Sequence, residues 1–242
     1  MRFDLSIAAC LAIVLGVAAF LNWNERPVPW IETKFDYARD LPASWLEPPI
    51  SGAGTAATEE EQIRVIPVIY GFLGRYPEEV IEDNLRAIYL SHDLFFYGQS
   101  YGGTNSLDAI YMTSRGEDEG YTQDYLEGLL HHEFSSILMR NYGFPETEWR
   151  AINPPDFVYS ENDIWVVEDD GLYDQPPVLL RDGFITQYAT TTFENDVNVL
   201  AEWLFVQPDR LEGLSASYPA IAEKVALLRA FYLGVDPDID VQ

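Results

Sequence analysis

Apolar residues recur at helical spacing over residues 58–73, 122–141, 194–205 and 218–232, and β-branched and aromatic residues crowd 87–97 and 109–113. The first pattern predicts a helix that starts at Thr58, with Glu59, Glu60 and Glu61 at the positive end of its dipole and a kink at Pro67. Tyr76-Pro77-Glu78-Glu79 opens a second helix with proline in its first turn. The β-rich runs predict two strands, joined by a loop at Tyr101-Gly102-Gly103-Thr104-Asn105 whose glycine pair reads as a turn. The helix over 122–141 stops at Gly143, and a loop-rich acidic stretch follows over 145–177. Residues 182–192 form a connector, and an acidic tail ends the chain. Helices dominate over a small early sheet, so the expected class is α+β.

Ahead of the first helix, residues 24–57 are rich in proline, glycine and small side chains and read as an irregular tether. Trp30, Phe35, Tyr37 and Trp45 suggest that parts of this arm pack on the domain at 58–242. Residues 5–21 are apolar and uncharged, slightly short for a spanning helix and long for a signal core. Val17-Ala18-Ala19 suits signal cleavage, whereas Trp23 suits an interfacial anchor, so residues 1–23 are expected to be one or the other. Either reading places the rest of the chain outside the cytoplasm, in the periplasm or cell envelope, with membrane contact only through this segment.

Charge narrows the partners. Forty acidic residues against 14 basic ones give a net charge of −26, which repels nucleic acid and anionic lipid. Cys10 is the only cysteine, so the domain has no disulfide, no thiolate metal site and no cysteine nucleophile. No Gly-x-Ser-x-Gly elbow is present, and the acidic clusters at 168–171 and 236–240 lack the alternating ligands of a calcium loop.

The sharpest chemical signal is His131-His132-Glu133-Phe134-Ser135-Ser136. In an H-E-x-x-H helix, two histidines four apart bind zinc and the glutamate between them is the general base. Here His132 and Glu133 match the pattern, but Ser136 stands where the second histidine belongs, and a hydroxyl is a poor zinc ligand. At 100° per residue, Glu133 sits on the apolar stripe of Leu126, Leu129, Leu130 and Ile137, His132 and Ser136 flank it, and His131 lies nearly opposite. A carboxylate on such a stripe needs a partner: a metal-bound water, an arginine or backbone amides.

A second stretch, Asp182 to Asp196 with Gly183-Phe184, Tyr188-Ala189-Thr190 and Glu194-Asn195-Asp196, resembles the third-ligand segment of the zinc-binding metallopeptidases of bacterial cell surfaces. That zincin family is distantly similar to the anthrax lethal factor catalytic domain. Leu73 to Pro77, Tyr97 to Thr104 and Ala109 to Met112 match its upstream order, so the resemblance covers about residues 58–232. It implies a zincin-like fold, with His132 as first zinc ligand, Glu133 as general base and Tyr188 as the assisting phenol. The ligand positions that follow are held by Ser136 and, counting from Tyr188, by Asn195, with Glu194 and Asp196 as neighbours. A rebuilt metal site would need His132 and Asp196, with His92 as a further donor. Glu202, two turns beyond Asn195, reads as a solvated carboxylate. Two functions are therefore expected: a pseudoenzyme whose cleft binds a peptide or protein partner of the cell envelope, or a divergent zinc peptidase using His132, Glu133 and Tyr188. A purely structural envelope role is the third.

Overall fold

The computed structural model describes residues 29–161 and 175–241. The apolar run at 5–21 and the acidic cluster at 168–171 lie outside the described residues. Within them, the predicted helices form where their caps place them. Thr58 and Glu61 make a reciprocal capping box at the head of α3 (Glu59–Leu73), which continues through Pro67 on its exposed side. Thr122 caps α5 (Gln123–Tyr142), and Gly143 ends it in the left-handed conformation at φ 71°. Thr192 caps α8 (Phe193–Val206) by accepting from the Asn195 amide. Helix α4 (Glu78–Asn84) follows Pro77, and α10 (Pro219–Val235) closes the fold. Three further helices occupy stretches expected to be irregular or left unassigned: α6 (Glu146–Ile152), α7 (Pro177–Arg181) and α9 (Pro208–Ser217). The last two carry proline in their first turn.

The sheet is larger than the two expected strands. Its path runs β1 (Trp30–Glu32), β3 (Ala87–Phe96), β6 (Ala109–Thr113), β5 (Gly103–Asn105), with β2 (Ala53–Ala56) and β4 (Gln99–Ser100) also on β3. β1 and β6 run parallel to β3, whereas β2, β4 and β5 pair antiparallel with their neighbours. The tether is thus not simply irregular. It supplies two strands, and between them the short helices α1 (Tyr37–Asp40) and α2 (Ala43–Leu46) cover one face of the sheet.

On that face, Phe35 and Leu41 pack with Ala87, Tyr89, Ala109 and Tyr111. Tyr89 and Tyr111, opposite each other in register, stack at 4.8 Å. The other face presents Ile88, Leu90, Ile110 and Met112 to the helical core. Alternation along β3 breaks between Ser91 and Asp93, where the pairing with β2 skips His92. This bulge returns Leu94 and Phe96 to the face covered by the arm.

Helix α5 runs through the middle of the helical core and is buried on nearly every side. His131 is fully buried there, stacked on Phe205 at 3.9 Å and hydrogen-bonded to the Tyr76 hydroxyl at 2.8 Å. Burial pushes its pKa from 6.5 down to about 4, against the opposing pull of Glu127. The unfolded chain therefore takes up a proton there before the folded one does. Stability from this group is full above pH 6.5 and falls as the pH drops toward 4, by about 3 kcal/mol over the window. We expect His131→Gln to be less stable than the native protein at pH 7 but to lose less stability between pH 6.5 and 4, read from urea unfolding at stepped pH.

Candidate active-site cleft

Helices α5 and α8 pack antiparallel, and their facing residues form a ladder. Arg140 pairs with Glu194 at 3.3 Å, the Asn198 amide donates to the Ser136 hydroxyl at 2.7 Å, and His132 Nδ1 meets Glu202 Oε1 at 2.5 Å. Gly128 lies one turn before His132, with Glu202 Cβ 3.6 Å from where a side chain on it would begin. His132, Glu133, Ser136, Asn195 and Glu202 line a cleft of about 1030 Å³. Tyr188 lines it too, its ring 6.1 Å from the His132 imidazole.

The opposite wall is β5, the terminal strand of the sheet path, laid against α5. Gly102 and Gly103 make this approach possible. A Cβ on Gly102 would sit 2.3 Å from the Tyr125 hydroxyl, and one on Gly103 2.7 Å from Leu129 Cδ1. The glycine pair, read from sequence as a turn, serves the contact between strand and helix. The same contact brings Asn105 to Glu133, its Nδ2 donating to Oε2 at 2.6 Å. Arg140 fixes the other end of that amide by donating to Asn105 Oδ1 at 2.5 Å. Asn105 was not singled out from sequence; its only signal was the neighbouring glycine pair.

Burial and neighbouring charge set the two central titrations. Glu133 is 6% exposed, and loss of water raises its pKa above the ordinary carboxylate value, with His132 and Asn105 pulling the other way. Burial alone would depress His132, but the Glu202 hydrogen bond and charge outweigh it, aided by Glu133 and Glu194, so its pKa is raised.

Sequence reasoning placed His132, Glu133 and Tyr188 in one pocket, and all three line the cleft. Asp196 does not reach it. That side chain is fully buried behind α8, where its Oδ2 meets Lys224 Nζ at 2.8 Å, Trp149 Nε1 at 2.8 Å and the Tyr159 hydroxyl at 2.7 Å. One residue of helix rotates Asp196 by about 100° from Asn195, away from His132 and into the interior. His92 is also elsewhere, at the β3 bulge with Glu61 Oε1 2.6 Å from its Nδ1. Glu202 departs from its expected role as a solvated carboxylate. Its distance from Asn195 was the wrong measure, because antiparallel packing sets it opposite His132.

The donor set does not fit zinc. At the ligand positions, Ser136 is engaged by Asn198, and the Asn195 amide donates to Thr191 Oγ1 at 2.8 Å. Glu194 belongs to Arg140, and among the described residues no three His, Cys, Asp or Glu side chains come together to hold a metal ion. One imidazole with a hydroxyl and an amide lacks the three strong ligands of a catalytic zinc.

The His132–Glu202 pair predicts a pH signature. A raised histidine pKa gives stability that is full below 6.5 and is lost as the pH climbs through the raised value. Glu202→Gln should cost about 2 kcal/mol at pH 6 and clearly less at pH 9, read from urea unfolding.

Comparison with known proteins bears on the fold and the family. The chain superimposes on the crystal structure of a protein from Bacteroides caccae described as a "putative zinc-binding metallo-peptidase", with a TM-score of 0.52 at 13% identity. The match covers 90% of this chain and 83% of that one, and at such identity it bears on the fold alone. Comparison with curated protein sequences finds no match. A family model described as "Putative zinc-binding metallo-peptidase" matches residues 104–231, more than half of the chain and including helices α5 and α8. By that match, the chain belongs to this metallopeptidase family.

Proposed function

We propose that this protein is a pseudoenzyme of its family: the peptidase cleft remains as a binding site for a peptide or protein partner, and zinc hydrolysis is lost. One observation carries the reading. The second and third ligand positions, Ser136 and Asn195, are neutral and are closed into hydrogen bonds with Asn198 and Thr191. A metal would find there only the Asn195 amide oxygen and a hydroxyl that already accepts from Asn198, both weak donors. The wall strand β5 supports a peptide as occupant, since a terminal strand beside a cleft can take an extended chain as its next strand. The apolar run at 5–21 supports a site of action outside the cytoplasm, in the cell envelope.

A divergent zinc peptidase is the second reading, favoured by the presence of His132, Glu133 and Tyr188 in the same cleft. Metal analysis by mass spectrometry separates the two. The full-length protein soaked in zinc and desalted should carry no stoichiometric metal. About one zinc per chain, lost in His132→Ala, with hydrolysis abolished by Glu133→Gln, would overturn the pseudoenzyme reading.

Conversely, Ser136→His with Asn195→Glu should restore about one zinc per chain, because those positions lie on the cleft wall beside His132. Failure of this pair to bind zinc while folded would mean that the ladder between α5 and α8 no longer has the spacing of a metal site.

A further inference from the structure

The charges lining the cleft are unevenly satisfied. Glu202 is matched by His132 at 2.5 Å and Glu194 by Arg140 at 3.3 Å, so each of those carboxylates faces a basic side chain. Glu133 does not. Its Oε2 has the neutral amide of Asn105, and among the described residues its Oε1 accepts no hydrogen bond. The group is more than nine-tenths buried yet lines the cleft. Oε1 lies only 3.2 Å from where a Cβ on Gly103 would be, beside the wall strand. Oε1 is not sealed from the cleft, so it stands open to a donor that enters there.

We infer that the cleft recognises a cationic group, a lysine side chain or a peptide amino terminus, with Glu133 Oε1 as its acceptor. This deepens the peptide-binding reading and rests on it. Three further features favour a cation. The chain's net charge of −26 attracts positively charged ligands from a distance. The cleft is walled by aromatic rings, among them Tyr101, Tyr125 and Trp203, over which the apolar stem of a lysine can lie. The two arginines of the cleft already use such faces, Arg115 over Tyr121 at 5.4 Å and Arg210 over Trp203 at 4.5 Å. With no zinc water to activate, the residue at the general-base position becomes an anchor for a donor.

The test is calorimetric titration of the full-length protein with three capped tetrapeptides: tetralysine, its fully Nε-acetylated counterpart and tetraglutamate. Tetralysine should bind at least about tenfold more tightly than either of the others. Glu133→Gln should weaken it by about tenfold, a difference that persists in raised salt because a buried partner is screened less than the surface. Glu148→Gln, which removes an exposed acid outside the cleft, should leave binding unchanged. Glu133→Gln keeps the acceptor for Asn105 and removes a buried charge, so the variant should fold; circular dichroism and urea unfolding check that it does. Equal binding of tetralysine by the native protein and Glu133→Gln would assign it to the general acidic surface and overturn the inference. Preference for the acetylated or acidic peptide would overturn it while leaving peptide binding intact. Absence of binding by all three would remove the peptide-binding reading as well.

Discussion

The antiparallel register of α5 against α8 fixes which side chains meet in the cleft. Three contacts one turn apart, Arg140–Glu194, Ser136–Asn198 and His132–Glu202, lock that register in both rotation and translation. Slipping either helix by one residue would rotate each partner by about 100° and leave these groups unpaired. The same register turns Asp196 inward, onto the buried ammonium of Lys224. The ion pair behind α8 and the polar ladder in front of it therefore hold the helix from both sides.

The sheet depends on this arrangement less directly, through the closeness of β5 to α5. Glycine at 102 and 103 lets the strand approach until Asn105 reaches Glu133, and Arg140 completes the link back to Glu194 on α8. One hydrogen-bonded chain, Glu194–Arg140–Asn105–Glu133, thus crosses from α8 through α5 to the sheet and closes the cleft wall. The arm plays its part on the far face, where Phe35 and Leu41 shield the strands that carry this wall.

Much of this was legible in the sequence where a local rule governs the outcome. Thr58 and Thr122 announce their helices, Gly143 ends one, and the β-forming, aromatic run at 109–113 marks a buried strand, because capping and propensity act within a few residues. The tether's strands were not legible: β1 and β2 are three or four residues long, and β2 is Ala-Gly-Thr-Ala, with no apolar alternation to betray it. Within the site, helical geometry correctly separated His131 from His132 and Asn195 from Asp196, since rotation about one helix is computable from sequence. Glu202 and Asn105 were missed because their roles arise between elements. Neither the register of two helices nor the height of a strand above a helix is written in either segment alone.

Charge pairing shapes the cleft. In a zinc site the dication balances carboxylates gathered around it, and deleting ligands piecemeal would strand those negative charges in a buried place. Here the groups around His132 are matched to one another. Positions 136 and 195 carry no charge, Glu202 has an imidazole whose pKa it raises, and Glu194 has a guanidinium. Glu133 has a neutral partner in Asn105, and burial raises its pKa. The carboxylates beside His132 and Arg140 are thus matched within the chain, and Glu133, held by the Asn105 amide, faces the space a ligand would fill.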